Sequence, residues 1–428
     1  MKLIFCLLLS ATAHAKDIIY FTDLEGSRAR LESVYEHSGA FFLGADAQFH
    51  LKPDQILVYG GDATDRYYGS IQVVEEIVRH HEEPRNRGRV HSIVGNREVK
   101  EMRFTSELTD AAIARPPMLK EYTKADAYAA EAASPPDRVR RMKFMLANNM
   151  GSPEAFKLLH DEIKEREGKD FVSDEEVVRQ TLDSLKPGGA FAKMLGYMRL
   201  GVTIGNTVFV HGGLTPENIG VGMPVDQWLN SRNSWYLEQY NQWLNGYMRW
   251  TGVGPRAGED LLNDPMPKPG ARSKPESLIT GRHVDNQNNP LLPDEEVIAY
   301  LAANGKQREI VGHTPIGHTS VIVRNALHTF ESIFADISYS PEQKRANWVR
   351  LIGPDYQTAI SEGWVQIDGV WQLVRSVTKL GEPTRVGLLA KDGTRVIGHD
   401  SDSRLIGTRM ENFKVLNRLV SPCEIELQ

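Results

Sequence analysis

Six residues of metal-ligand type, Asp23, Glu25, Asp62, Asn96, His211 and His313, each stand just after a short apolar run. Carboxylate, amide and imidazole groups are the donors that divalent cations of the Mg, Mn, Fe and Zn series accept. If the runs are neighbouring strands, their carboxyl ends bring these side chains to one point. Such a set can hold two ions with one carboxylate shared, and two ions roughly 3.5–4 Å apart can clamp a phosphoryl group and activate water. A single Asp after a strand is more often a turn or a helix cap, so the ordered series carries the reading.

The elements that must position these groups are legible as apolar runs at 18–22, 56–59, 90–94, 208–210 and 309–311, leading into DLEG, GGDATDR, GNRE, HGG and GHTP. Short β-branched runs bounded by Gly and charged residues read as buried strands, with a site at the sheet edge. Helical spacing over 28–37 and 70–81 separates the first three, so the chain opens as a βαβαβ unit of an α/β protein. From 99 to about 200 the pattern is helical, with stretches near 123–148, 153–167 and 174–185 and a break at Pro135-Pro136, which predicts a helical insertion at about 100–200. A second insertion, about 217–275, carries Trp228, Trp235, Trp243 and Trp250 at spacings of seven and eight. These spacings predict one helical face, either core-facing or an aromatic wall beside a pocket. The Pro- and Gly-rich stretch 254–275 reads as a loop. From 348 to 428 short strands with Asp368-Gly369 and Asp392-Gly393 turns predict a small β-rich C-terminal segment, leaving 16–347 as the main domain.

In order and approximate spacing, DLEG, GDATDR, GNRE, HGGLTP and GHTP resemble the motifs of the calcineurin-like metallophosphoesterases, closest to their phosphoprotein-phosphatase branch. VGHTPIG and the FADIS around Asp336 look most like bacterial Shewanella-like and diadenosine-tetraphosphatase relatives. The resemblance covers residues 18 to about 340 and implies a β-sandwich flanked by helices that binds two divalent ions. It implies that Asp23 and Glu25 bind the first ion, that Asp62 bridges, and that Asn96, His211 and His313 complete the second. Arg66 would hold the substrate phosphate as a bidentate donor, and Arg282 stands about where the family has a second phosphate-binding Arg.

Two departures shape the chemistry. Glu25 stands where the family has His, giving the first ion an all-oxygen set that favours Mg or Mn. Arg97 stands where the family has the His that protonates the leaving group, and Asp65, which orients that His, is free to pair with Arg97 instead. Arg stays charged at accessible pH and cannot be a general acid. Aryl phosphates, phosphotyrosine and phosphoanhydrides leave as weaker bases than an alkoxide, so they are the expected substrates. His283 and His318 are alternative acids, though each reads more simply as a surface or satisfied core residue; His80-His81 reads as a solvated helix end, and Cys423 as inert.

Fifty Lys+Arg against 56 Asp+Glu, with 41% hydrophobic residues, excludes disorder and a polybasic nucleic-acid binder, and no apolar stretch is long enough to span a membrane. Lys2, the apolar run 3–9 and the small-x-small pattern at 13–15 read as a signal peptide over 1–15, which predicts a periplasmic or secreted protein. The expectation is thus an exported phosphatase acting on a phosphoprotein or small phosphate compound. A nucleotide phosphoanhydride hydrolase and a metal-stabilised binding module without turnover are the alternatives.

Overall fold

The computed structural model describes residues 16–120, 123–267, 271, 273–338, 347–412 and 414–426. The expected signal peptide lies outside the described residues.

The five apolar runs form strands Asp17–Phe21, Gln55–Tyr59, Val90–Ile93, Thr207–Val210 and Arg308–Val311. The first three are parallel neighbours in one sheet, and the last two are parallel neighbours in another. Alternation along Asp17–Phe21 shows how the layers pack, since successive side chains point to opposite faces. Ile18 and Tyr20 meet Phe209, Ile310 and Ile333 of the second sheet. Ile19 and Phe21 join Leu31, Val34, Val73 and Ile77 of the flanking helices. The chain is therefore an α/β sandwich of two sheets with helices outside, as its sequence predicts. Full burial of each such aliphatic side chain contributes roughly 1.5–3 kcal/mol.

The helices Arg28–His37 and Ser70–Glu82 fill the two expected crossovers. Ser27 caps the first by accepting the Arg30 N–H at 3.1 Å. A two-stranded hairpin, Phe41–Leu43 with Phe49–Leu51, follows the first crossover helix and was not apparent in the pattern. The helical insertion includes Ala125–Ala132 and Arg138–Phe144 on either side of Pro135-Pro136, then Ala155–Glu167 and Asp174–Leu185. Strand Trp348–Ile352 pairs antiparallel with Asp17–Phe21, and the C-terminal strands extend that sheet to ten. No described helix is long and apolar enough to cross a membrane.

Three expectations are corrected. Helix Val225–Asn245 carries Trp228, Trp235 and Trp243, but ends at Gly246, so Trp250 is not on its face. Trp228 and Trp243 are buried, and the Trp243 indole N–H donates to Thr105 at 2.9 Å, so this face packs inward. The 254–275 stretch contains a short helix, Glu259–Asn263. His80 is buried with its Nε2 2.9 Å from the Tyr35 hydroxyl, and His81 stacks on Tyr197 with its Nε2 2.9 Å from Ser92 Oγ; neither is a solvated helix end. Apolar residues on that helix drive it into the core and carry the histidines with them.

Candidate metal centre

Asp23 and Glu25 follow the first strand, Asp62 the second, and Asn96 and Arg97 open helix Asn96–Met102 after the third. His211 and His313 follow the two strands of the opposite sheet, so both sheets contribute from one edge. Four of these turn residues, with Asp65 beside them, adopt the left-handed region: Asp23 (φ 52°), Glu25 (50°), Asp62 (56°) and His313 (60°), and Asp65 (83°). Non-glycine residues enter that region at a cost, and such residues concentrate at functional sites.

Asp62 is central. One Oδ1 accepts the Arg97 backbone N–H at 2.9 Å and lies 3.3 Å from His211 Nε2, while Oδ2 lies 3.5 Å from Arg97 Nε. His211 is fully buried, and its Nδ1–H donates to the Gly60 carbonyl at 2.8 Å, so Nε2 is the nitrogen turned to the site. That buried Nε2 faces the Asp62 carboxylate. Burial alone would lower the His211 pKa, but Asp62, Asp23 and Glu98 outweigh it and push it up to about 10. The carboxylates thus hold a proton where a cation would sit, and a bound cation would displace it.

His313 completes the group. Its backbone N–H faces both Asp23 oxygens at 3.3 Å, its Nδ1 lies 2.6 Å from Asn96 Oδ1, and its Nε2 lies 3.1 Å from Arg282 Nη2. Burial, with the positive charges of Arg282 and His211, holds its pKa well below the ordinary value, so the ring is neutral as a ligand must be. Ligand atoms of Asp62, His211 and His313 all lie within 4.8 Å of one another. With Asn96 alongside, this donor set is of a kind that can hold a divalent cation.

Asp23 and Glu25 fall outside that three-residue group. Asp23 is buried, accepts the Thr22 hydroxyl at 2.7 Å, and has its pKa raised by burial and by nearby Asp336. Glu25 is engaged by arginines on both oxygens: Arg97 Nη2 at 2.7 Å from Oε1 and Arg66 Nη1 at 2.8 Å from Oε2. Arg97 also pairs with Asp65 through Nη1. Burial disfavours the Arg97 charge, but Asp65, Glu25 and Asp62 overcome this and hold its pKa above the ordinary arginine value. Asp65 is raised to about 6, by burial against the opposing pull of Arg97. Arg66 is partly exposed at the rim, and Arg282 reaches the site at His313.

His283 is buried with Nε2 3.3 Å from Glu309, and His318 pairs with Asn417 in the C-terminal sheet, so both are satisfied structural residues. Three contributors had no separate place in the sequence reading. Glu98 accepts backbone N–H groups of Asp62, Ala63 and Gly95. Asp336 is buried and electrostatically linked to Asp23 and Glu25. Ser152, from the helical insertion, lies 3.2 Å from both Arg97 Nη1 and Asp65 Oδ1. It follows a π-helical turn, Met145–Asn149, and Gly151 at φ 72°. Glu98 and Asp336 lie in the noted motifs GNRE and FADIS, whereas nothing local to Ser152 marks it.

No protein-family model matches the chain, and no curated protein matches it. Among solved structures, it is similar to the cold-active protein-tyrosine phosphatase of a psychrophilic Shewanella species, at 14% identity over 85% of this chain and 80% of that one, with a TM-score of 0.43. A second structure of a cold-active protein tyrosine phosphatase gives 14% identity over 84% and 78%, with a TM-score of 0.45. A Saccharomyces cerevisiae protein serine/threonine phosphatase similar to human PP5 gives 12% identity over 87% and 83%, with a TM-score of 0.36. Likeness at this level leaves the functional reading to the residues of the site.

Proposed function

We propose that this chain is an exported, metal-dependent phosphatase that hydrolyses phosphate esters with good leaving groups. The observation that carries the reading is the convergence of Asp62, His211 and His313 within 4.8 Å of one another, next to Asn96 and ringed by Arg66, Arg97 and Arg282. A divalent ion bound there supplies Lewis acidity toward a phosphoryl oxygen and lowers the pKa of water. Arg66, partly exposed at the rim, offers a guanidinium to the remaining phosphoryl oxygens. Arg97, locked by Asp65 and Glu25, stabilises charge that develops on the phosphoryl group but has no proton to give.

That division of labour favours aryl phosphates, phosphotyrosine and phosphoanhydrides over phosphoserine. Export rests on the signal-peptide pattern of residues 1–15. A second reading, a metal-stabilised binding module with little turnover, is favoured by one feature: Arg66 and Arg97 already neutralise Glu25, which weakens their hold on a substrate phosphate. The deciding experiment is p-nitrophenyl phosphate hydrolysis by the chain from Lys16, stripped of metal and reconstituted with Mn, Mg, Fe or Zn. Turnover that needs metal and is lost in Asp62→Asn supports the phosphatase. Thermal stabilisation by the same ions without turnover supports the binding module.

A further inference from the structure

The side chain of Arg97 lies against carboxylates that a second metal ion would use. It is buried and lies among three carboxylates: Nη2 is 2.7 Å from Glu25 Oε1, Nε is 3.5 Å from Asp62 Oδ2, and Nη1 pairs with Asp65. Two of these carboxylates, Glu25 and Asp62, are those from which an all-oxygen site for a first ion would be built. Arg66 takes the other oxygen of Glu25 at 2.8 Å, so that carboxylate already carries two guanidiniums. The two sides of Asp62 differ. Oδ1 faces His211 Nε2 at 3.3 Å, on the side of the histidine group, and Oδ2 faces Arg97.

We infer that the centre binds a single divalent ion, at Asp62, Asn96, His211 and His313, and that the Arg97 guanidinium stands in the place of the other. A fixed cation paired with Glu25, Asp62 and Asp65 supplies the charge those carboxylates require and repels a divalent ion brought to the same oxygens. An arginine cannot relieve that repulsion by losing its proton. Asp62 then bridges one metal ion and one guanidinium. Ser152, at 3.2 Å from both Arg97 Nη1 and Asp65 Oδ1, helps hold the side chain there.

This inference rests on the metal-dependent reading above, and one experiment separates the two. The chain from Lys16, stripped of metal, is dialysed against excess Mn(II), and bound manganese per chain is counted by elemental analysis alongside an electron paramagnetic resonance spectrum. One ion per chain with no exchange coupling is the expected result. Two ions, or an exchange-coupled spectrum, would overturn the inference while leaving the metal-dependent reading intact, and no bound ion would overturn both. Arg97→Ala, which removes the occupant and leaves its three carboxylates, is expected to take up a second ion, whereas Arg97→Lys, which keeps a cation, is expected to stay at one. An Arg97→Ala protein that folds and still binds one ion would overturn the role given to Arg97. Should that variant not fold, the count on the unmodified chain still decides.

Discussion

The carboxylate of Glu98 accepts the backbone N–H of Asp62 at 3.1 Å. It also accepts those of Ala63 at 2.6 Å and Gly95 at 2.7 Å, so one buried side chain braces two of the loops that form the centre. Replacing it by Gln turns an amide N–H₂ toward backbone donors and leaves at least one of them unsatisfied. Glu98→Gln should therefore lose about 1–3 kcal/mol of stability in urea denaturation and bind Mn(II) more weakly. Unchanged stability and affinity would show that the loops hold themselves.

Metal removal should be visible without any substrate. An ion bound only by the folded state stabilises it by about 2.7 kcal/mol when free ion is at 100 times its Kd. Thermal melts of the chain from Lys16 should therefore fall on adding a chelator and recover with Mn(II) or Zn(II). The Asp62→Asn protein should show a smaller difference, because the one carboxylate of the Asp62, His211 and His313 group is gone.

The proposed discrimination between leaving groups is testable at Arg97. A positioned general acid is worth roughly 100- to 10,000-fold in rate, so p-nitrophenyl phosphate should outrun phosphoserine peptide by a factor of that order. Arg97→His, which restores a group able to give a proton, should narrow the ratio by raising alkyl-phosphate turnover. Equal turnover of the two substrates by the unmodified chain would refute the argument.

Stability should also respond to pH through a residue remote from the centre. His81 stacks on Tyr197 with ring centroids 4.6 Å apart, and burial, aided by His91 and Arg199, lowers its pKa from 6.5 to about 4. Above pH 6.5 the ring is neutral in both folded and unfolded chains, and its contribution is complete. Between pH 6.5 and 4 the unfolded chain takes up the proton and the folded one does not, so stability falls as pH falls, by about 3 kcal/mol in all. His81→Gln should flatten that part of the profile, measured as the urea midpoint at pH 7 and pH 4.5.

The strands and their order were legible because each combines a β-branched run with a polar end, a local pattern that survives without knowledge of partners. Asp62, His211 and His313 converge because that pattern places them at one edge of two facing sheets. What a given side chain bonds to was not legible. The ligand chemistry of Glu25 is plain from its type, yet its two arginine partners are 41 and 72 positions away in the chain and reach it only through the fold. Ser152 arrives from the insertion after a π-helical turn that no apolar spacing announces. Trp250 misled because spacing alone does not reveal that the helix ends at Gly246.

The left-handed backbone at Asp23, Glu25, Asp62, Asp65 and His313 sets folding against the function proposed for them. Such backbone costs the folded chain up to about 1–2 kcal/mol at Glu25 and less at the Asp and His positions, and Gly at the same positions would remove the cost. Burial adds to this for Asp23, whose carboxyl is crowded by Asp336. A library of variants selected for abundance alone would drift toward Gly and Asn at these five positions first, while selection for turnover would hold them. Comparing the two enrichments would test whether these five positions serve turnover, without any assumption about the substrate.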